Sequence, residues 1–217
     1  MMLEVFDDFD QGSGDWFSVR LGIPTASKFA TVMAKGEGKT RSDYMRKLAG
    51  EILTGEPMDS YSNAYMERGT ELEDQARQKY AFVEAAELQR VAFLKNGAKG
   101  CSPDSLVGDS GGLEIKIAIP SVQIERLERG GLPPEHKAQV QGNLWIAERE
   151  WWDFVSDCPR LPQLKVRVYP DKAYLKTLAD EVERFNDELA AMVERIRHYD
   201  EQSALLKNKL VQSLVAG

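Results

Sequence analysis

Ten positions separate Asp104, in the run Ser102-Pro103-Asp104, from Glu114, and Lys116 follows two residues later. Leu113 to Ile119 alternates as a strand does, so Glu114 and Lys116 share one face while Leu113, Ile115, Ile117 and Ile119 form an apolar face opposite. At roughly 3.3 Å per residue the Cα atoms of Glu114 and Lys116 lie about 6.6 Å apart, and a hairpin return brings Asp104 alongside. Two carboxylates and an amine so disposed suit metal-assisted phosphodiester hydrolysis. The cation neutralises non-bridging oxygens and lowers the pKa of a water, and the amine orients or deprotonates that water. A solvent-facing Glu–Lys ladder with a turn aspartate is the plainer use of the same residues. The apolar face decides between them, because it leaves Glu114 and Lys116 at an interior position of a sheet, where ionic groups need partners or a metal.

Composition narrows the metal. With only His136, His198, Cys101 and Cys158, a multi-histidine or four-cysteine centre is excluded and a site must rest on carboxylates. That points to a hard cation, Mg²⁺, with Mn²⁺ as the other ion such a site takes. Cys101 reads as a small buried residue. A net charge of −7 argues against a protein that coats nucleic acid indiscriminately. Locally, however, Arg20, Lys28, Lys35, Lys39, Arg41, Arg46 and Lys47 face only Glu37 and Asp43, a basic island that could equally be a solvated helical face. No run approaches the roughly 18 apolar residues of a membrane span. The acidic start, Met1 to Asp8, lacks the basic and apolar regions of a secretory signal, so a cytoplasmic location is expected.

The elements that must position these residues follow from periodicity. Thr25-Ala26-Ser27 offers hydroxyl caps to a short helix ending at Met33, and Ala34 to Lys39 is a flexible loop. Tyr44, Leu48 and Ile52, stopped by Gly55 and Pro57, mark a second helix. A third runs from about Ala64 to Phe82, with Leu72, Ala76 and Tyr80 as its stripe and Glu73 beside it. Extended segments follow at Leu88 to Leu94, Gly100 to Ser102, Leu106-Val107 and Leu113 to Ile119, with a turn at Asn96-Gly97. Pro133-Pro134-Glu135 opens a helix to about Glu148, and Trp151 to Ser156 and Leu164 to Tyr169 read as strands. The stripe Leu175, Leu178, Val182, Phe185, Leu189, Met192, Ile196 and Tyr199 is helical, and packing on the protein's own sheet is the commoner use of such a stripe than a coiled-coil seam. Residues 201–217 continue with leucines suited to a helix or an interface.

Taken in order, Asp15-Trp16, Arg20 to Ser27, Arg68-Gly69-Thr70-Glu71-Leu72-Glu73, Ser102 to Lys116 and Ala138-Gln139-Val140-Gln141 resemble the PD-(D/E)xK nucleases, and within them the phage lambda exonuclease-like, YqaJ-type viral recombinases. The resemblance covers roughly residues 15 to 160. It implies that Asp104, Glu114 and the carbonyl of Ile115 ligate Mg²⁺, that Lys116 activates water, and that Glu73 is a helical carboxylate assisting the metal. Without it, Glu73 would pass for an exposed residue paired with Arg77 at i,i+4. Gln139 would place the lysine or the scissile phosphate, with Gln141 the alternative. Arg20, Ser27 and Ser102 would form a pocket for a terminal 5′-phosphate, for which guanidinium and hydroxyl donors are apt. Lys39 and Arg41 of the basic island would contact DNA. Trp16 stands open between bracing that pocket, stacking on DNA and plain core or edge packing, the commoner use of such a tryptophan. Ser105 after Asp104, and Ile117 to Pro120 after Lys116, depart from the family's usual glycine and cysteine-proline.

The fold expected is α/β: a restriction-endonuclease-like core with a mixed central sheet flanked by helices and a long C-terminal helix packed outside, the metal site lying at the sheet's open edge. One nuclease domain spans 1–217, with its core at about 15–170 and a helical extension at about 171–217. The resemblance implies 5′-to-3′ digestion of linear double-stranded DNA by a phage or prophage protein in a bacterial host. It also implies a homotrimeric ring around the DNA and a single-strand annealing recombinase as partner. A structure-specific or restriction-type endonuclease, and a non-catalytic DNA-binding module on the same fold, are the rival readings.

Overall fold

The computed structural model describes residues 2–34, 39–58 and 64–199, with residues 64–70 described by backbone alone. A five-stranded mixed sheet carries the candidate residues. Its strands, in spatial order, are β2 (Leu88–Gln89), β5 (Ser105–Val107), β6 (Gly111–Ile117), β7 (Trp151–Asp157) and β8 (Leu164–Val168). All neighbouring pairs are antiparallel except β6 and β7, which run parallel. The register of that parallel pair is set sterically. Gly111 lies against Trp151 and Gly112 against Trp152, and a Cβ on either glycine would meet an indole ring at 2.2 Å. Two glycines thus let two tryptophans lie across the middle strand, and the same register aligns Glu114 with Phe154 and Lys116 with Ser156.

A parallel pair needs a crossover. Here it is built from α5 (Pro120–Arg129) and α6 (Lys137–Ala147), the latter opened by Pro133, Pro134 and a short 3₁₀ turn. The α6 helix was expected; α5 was not, because its residues are mostly polar and only Pro120 at its first position signals a start. Beneath the other face of β6 lies α4 (Ala64–Glu84), whose Ala76 and Tyr80 pack on Leu113, Ile115 and Val155. The Tyr80 hydroxyl donates to Asp153 at 2.6 Å, and Arg167 grips the same fully buried carboxylate with two bonds of 2.8 Å. That closed polar cluster pins α4 to the sheet.

Three further helices, α1 (Gly14–Val19), α2 (Phe29–Val32) and α3 (Lys39–Thr54), and a small antiparallel sheet of β1 (Glu4–Phe6), β3 (Phe93–Lys95) and β4 (Gly100–Cys101) complete the elements before the C-terminal helix α7 (Lys172–Arg197). The stripe of α7 is used inside the chain: Leu178, Val182, Phe185 and Leu189 are buried, and its principal neighbours are α3, α6 and α2. It therefore lies on helices rather than directly on the sheet, and Ile196 and Tyr199 at its end are exposed. Among the described residues no helix is long and apolar enough to cross a membrane.

Several expectations need correction. Leu88 to Leu94 is not one strand: β2 joins the large sheet and β3 the small one, so the chain changes sheets between them. Ile119 leaves the strand and precedes α5 as an exposed residue. Thr25 sits at the start of the 26–28 turn without capping it; its hydroxyl lies 3.3 Å from that of Ser27. Most of the expected 34–39 loop, the side chains of Arg68 to Thr70, and the leucine-rich run 201–217 lie outside the described residues.

Phe185 is fully buried and stacks on Tyr44 of α3 at 5.7 Å. Phe185→Ala is expected to lower the unfolding free energy by about 3–5 kcal/mol, read by urea denaturation. A loss under 1 kcal/mol would mean that α7 is not part of the core.

Candidate active site

Pro103 has no N–H for a sheet ladder, and β5 starts only at Ser105, opposite Leu113. From Glu114 onward, the β5 side of the middle strand is therefore uncovered. The Asp104 carboxylate takes the vacant place: its Oδ2 accepts the Ile115 N–H at 2.5 Å. The N–H and C=O of one strand residue point to the same side, so the Ile115 carbonyl faces this gap too. The expected open edge is thus a local one, made inside the sheet by the shortness of β5.

Glu114 projects to the face covered by α6 and is 2% exposed. Its Oε1 accepts from Gln139 Nε2 at 2.6 Å and meets Lys116 Nζ at 2.5 Å, while Oε2 accepts from Asn143 Nδ2 at 2.9 Å. Gln139 and Asn143 stand four residues apart on one face of α6, so one helix supplies an amide to each oxygen. Gln139 therefore contacts Glu114 rather than Lys116. Gln141 is bound elsewhere, to the Tyr169 carbonyl and the Asp171 N–H. Asn143 was missed; its spacing from Gln139 is the signal that could have found it.

Glu73 lies seven residues before Tyr80, two turns along the face that the Asp153 cluster anchors. It bonds Arg77 at 2.6 Å, as the i,i+4 spacing suggested, yet it is only half exposed and shares a cavity of about 400 Å³ with Asp104. Gln11, Phe9, Arg77 and Arg90 also line that cavity.

Charge is crowded here. Burial, then repulsion from Glu114 and Glu73, raises the Asp104 pKa well above the usual carboxylate range, although the residue keeps some surface toward the cavity. Burial likewise raises Glu73, with Arg77 opposing it and Glu114 adding to it. Burial works against the Lys116 ammonium, but Glu114 and Asp104 outweigh it and lift its pKa. Lys116 accordingly holds its proton and acts as a donor. Among the described residues no three of Asp, Glu, His and Cys are gathered closely enough to hold a metal ion. Asp104 and the Ile115 carbonyl face the gap and Glu114 lies on the adjoining face of the same strand; all are hard oxygen donors, and a divalent cation would offset the charge of the two carboxylates. The set fits such an ion. Cys101 is buried beside Glu114 with its thiol pKa raised well above normal by burial, as a packing residue's would be. His136, another residue missed from sequence, stacks on Phe154 at 5.0 Å and pairs with Arg126 at 2.8 Å; burial, then Lys116 and Arg126, lower its pKa to about 4.

A second cluster lies along the chain's first helices. Gly100 N donates to the Pro24 carbonyl, and Thr25 bridges Gly100 in parallel, so the 20–27 segment is tied to the strand that leads to Ser102. From α3, Tyr44 Oη accepts the Thr25 N–H at 3.2 Å, and buried Glu51 accepts the Gly22 N–H at 3.0 Å. Trp16 spans the cluster: its Nε1 donates to Ser102 Oγ at 2.9 Å, and the Arg20 guanidinium stacks 3.6 Å above its ring. Ser27 is exposed. Lys39 is exposed at the start of α3. Arg41 is engaged within the fold, by Glu188 at 2.6 Å and the Val32 carbonyl at 3.2 Å, and is not brought to the carboxylates.

The family model described as a YqaJ-like viral recombinase domain matches residues 15–150. The crystal structure of an alkaline exonuclease (LHK-Exo) from Laribacter hongkongensis is similar, with 34% identity and a TM-score of 0.79 over 88% of this chain and 99% of that one. LHK-Exo in complex with dAMP gives 36% identity and a TM-score of 0.80 over the same shares. A phage related exonuclease from Haemophilus somnus 129PT, 13% identical over 80% of this chain and 96% of that one, shares the fold with a TM-score of 0.63. No curated protein matches.

A carboxyl whose pKa is raised by folding binds its proton more tightly in the folded state than in the unfolded one. Its contribution to stability is therefore lost as pH rises from the unfolded value through the folded one. In metal-free buffer, Asp104→Asn is expected to melt above the wild type at pH 8, with the difference shrinking toward pH 4, as followed by calorimetry. A lower melting temperature at pH 8 would contradict the crowding of charge described above.

Proposed function

Because the chain belongs to the YqaJ-like viral recombinase family and resembles an alkaline exonuclease along most of its length, we propose that it digests linear double-stranded DNA in the 5′-to-3′ direction. The products would be 3′ single-stranded overhangs for recombination by strand annealing. The observation that carries this reading is the Asp104–Glu114–Lys116 cluster at the gap beside β5, with Glu114 held by two amides.

In this reading Asp104, Glu114 and the Ile115 carbonyl hold Mg²⁺, or Mn²⁺. When bound, the ion neutralises phosphate oxygens and makes a water nucleophilic near neutral pH. Gln139 and Asn143 fix the Glu114 carboxylate, one amide to each oxygen. Lys116, within 2.5 Å of Glu114, orients the attacking water and, once neighbouring charge is neutralised, is less firmly protonated and can take its proton. Glu73, steadied by Arg77, lends a further carboxylate from α4. Arg20, Ser27 and Ser102 receive the 5′-phosphate of the end being digested, which places the next phosphodiester at the carboxylates. Lys39 contacts the DNA backbone; Arg41 supports it by fixing α3 on α7. A homotrimeric ring, acidic outside and basic within, accommodates the net charge of −7. A single-strand annealing recombinase is the fitting partner, in the cytoplasm of a phage-bearing bacterium.

The test uses a linear duplex with 5′-phosphate or 5′-hydroxyl ends and a covalently closed plasmid, each with Mg²⁺ or EDTA. Wild type should degrade the phosphorylated duplex only with metal, leave 3′ overhangs and spare the closed circle. Asp104→Ala and Lys116→Ala should each lose on the order of 10³-fold or more in rate, as removal of several kcal/mol of transition-state stabilisation demands. Rapid cutting of closed circles would favour an endonuclease, and equal rates on both ends would remove the phosphate pocket. Undiminished activity in Asp104→Ala would overturn the metal site, and no hydrolysis of any end would leave a DNA-binding module.

A further inference from the structure

Trp16 connects residues far apart in the chain without touching the carboxylate site. Its Nε1 lies 2.9 Å from Ser102 Oγ and 3.1 Å from the Ala92 carbonyl, and the Arg20 Cζ lies 3.6 Å from its ring centroid. Its own backbone N–H is held by Ser13 Oγ at 3.2 Å, and Phe17 meets the ring at 72°, 4.9 Å between centroids. Ser102 stands two residues before Asp104. We propose that Trp16 sets the preference for a phosphorylated DNA end, by holding Ser102 and Arg20 as a preformed receptor for the terminal phosphate. The proposal rests on the assignment of Arg20, Ser27 and Ser102 to that phosphate.

The argument is one of donors and acceptors. An indole N–H can only donate, so the Ser102 oxygen must accept from it, and the hydroxyl's own proton is turned away from Trp16. A serine that accepts from an indole is thereby committed to donate elsewhere, which is the orientation an anion needs. The ring acts in the same sense on Arg20: the guanidinium carbon lies over it at 3.6 Å, a cation–π contact that restricts where the guanidinium can go. The Ala92 carbonyl shares the indole N–H, so the ring keeps its place whether or not Ser102 is occupied. Two flexible side chains are then ordered before substrate arrives, and binding costs less rotamer entropy. Because Arg20 covers an indole face and Ser102 engages its edge, Trp16 serves the pocket rather than offering that face to a base.

Trp16→Phe keeps a ring under Arg20 and removes the N–H; Trp16→Leu removes both; Trp16→His keeps a flat ring with a donor. The measured quantity is the ratio of degradation rates on 5′-phosphorylated and 5′-hydroxyl duplexes. It is paired with the ratio of affinities for the same two ends in EDTA, by fluorescence anisotropy, which needs no turnover. Trp16→Phe is expected to cut both ratios about tenfold, the worth of one neutral hydrogen bond, and Trp16→Leu further, with Trp16→His between Trp16→Phe and wild type. In a Ser102→Ala background, Trp16→Phe should cost much less than it does in the wild type, since its bond to Ser102 is already gone and only that to the Ala92 carbonyl remains. Unchanged ratios in Trp16→Phe, or effects of Trp16→Phe and Ser102→Ala that simply multiply, would overturn the proposal. If the wild type discriminates and Arg20→Ala abolishes discrimination while Trp16→Phe does not, the pocket survives and the role of Trp16 falls. A wild type blind to the 5′ group would sink both.

Discussion

Asp104 and Glu114 are like charges held side by side where water is largely displaced, and much of the surrounding architecture answers that constraint. Repulsion between them is poorly screened there, and burial with that repulsion holds the Asp104 pKa well above its ordinary value. The fold prevents separation by giving each carboxylate a backbone or amide partner: the Ile115 N–H for Asp104, Gln139 and Asn143 for Glu114. Lys116 supplies the nearest positive charge. The remaining imbalance is of the kind that a divalent cation bound beside the carboxylates would relieve.

Each device around this pair has a cause in the chain. Pro103 and the three-residue β5 leave the middle strand uncovered at Glu114. The glycine–tryptophan contacts of β6 and β7 set the parallel register, and parallel pairing requires the α5–α6 crossover that brings the amides of α6 over the sheet. Tyr80 and Arg167 on the Asp153 carboxylate anchor α4 from beneath, which holds Glu73 on the shared cavity wall. Rigid elements thus approach Glu114 from one face and Asp104 from the other. Sites assembled on strands and helices in this way hold their geometry better than sites on loops alone.

The basic segment is organised differently. Its residues 20–32 belong to short helices and turns, held by contacts from α3, which carries the later basic residues, and from β4: Tyr44 on Thr25, Glu51 on Gly22, Gly100 on Pro24. Trp16 then joins Arg20 to Ser102, and Ser102 is covalently next to the strand that carries Asp104. The Arg20–Trp16–Ser102 cluster and the carboxylate cluster are in this way tied together, although the chain between them passes through three helices and a second sheet.

Much of this was legible in the residues themselves. The alternation Leu113-Glu114-Ile115-Lys116-Ile117 by itself determined which side chains share a face, and the spacing from Asp104 implied the hairpin return. The periods of α3, α4, α6 and α7 marked those helices, because period and turn chemistry are written in residues a few positions apart. What only the tertiary structure decided are meetings between distant segments. Asn143 reaches Glu114, Glu73 is shared between Arg77 and the carboxylate cluster, Arg41 is taken up by Glu188, and the run from Leu88 to Leu94 divides between two sheets. An amide, a guanidinium or a short apolar run has the same local signature whether it ends in solvent, in an ion pair or against a buried carboxylate. Its partner is chosen by packing across tens of residues, and that choice exists only once the sheet has formed and the helices have closed over it.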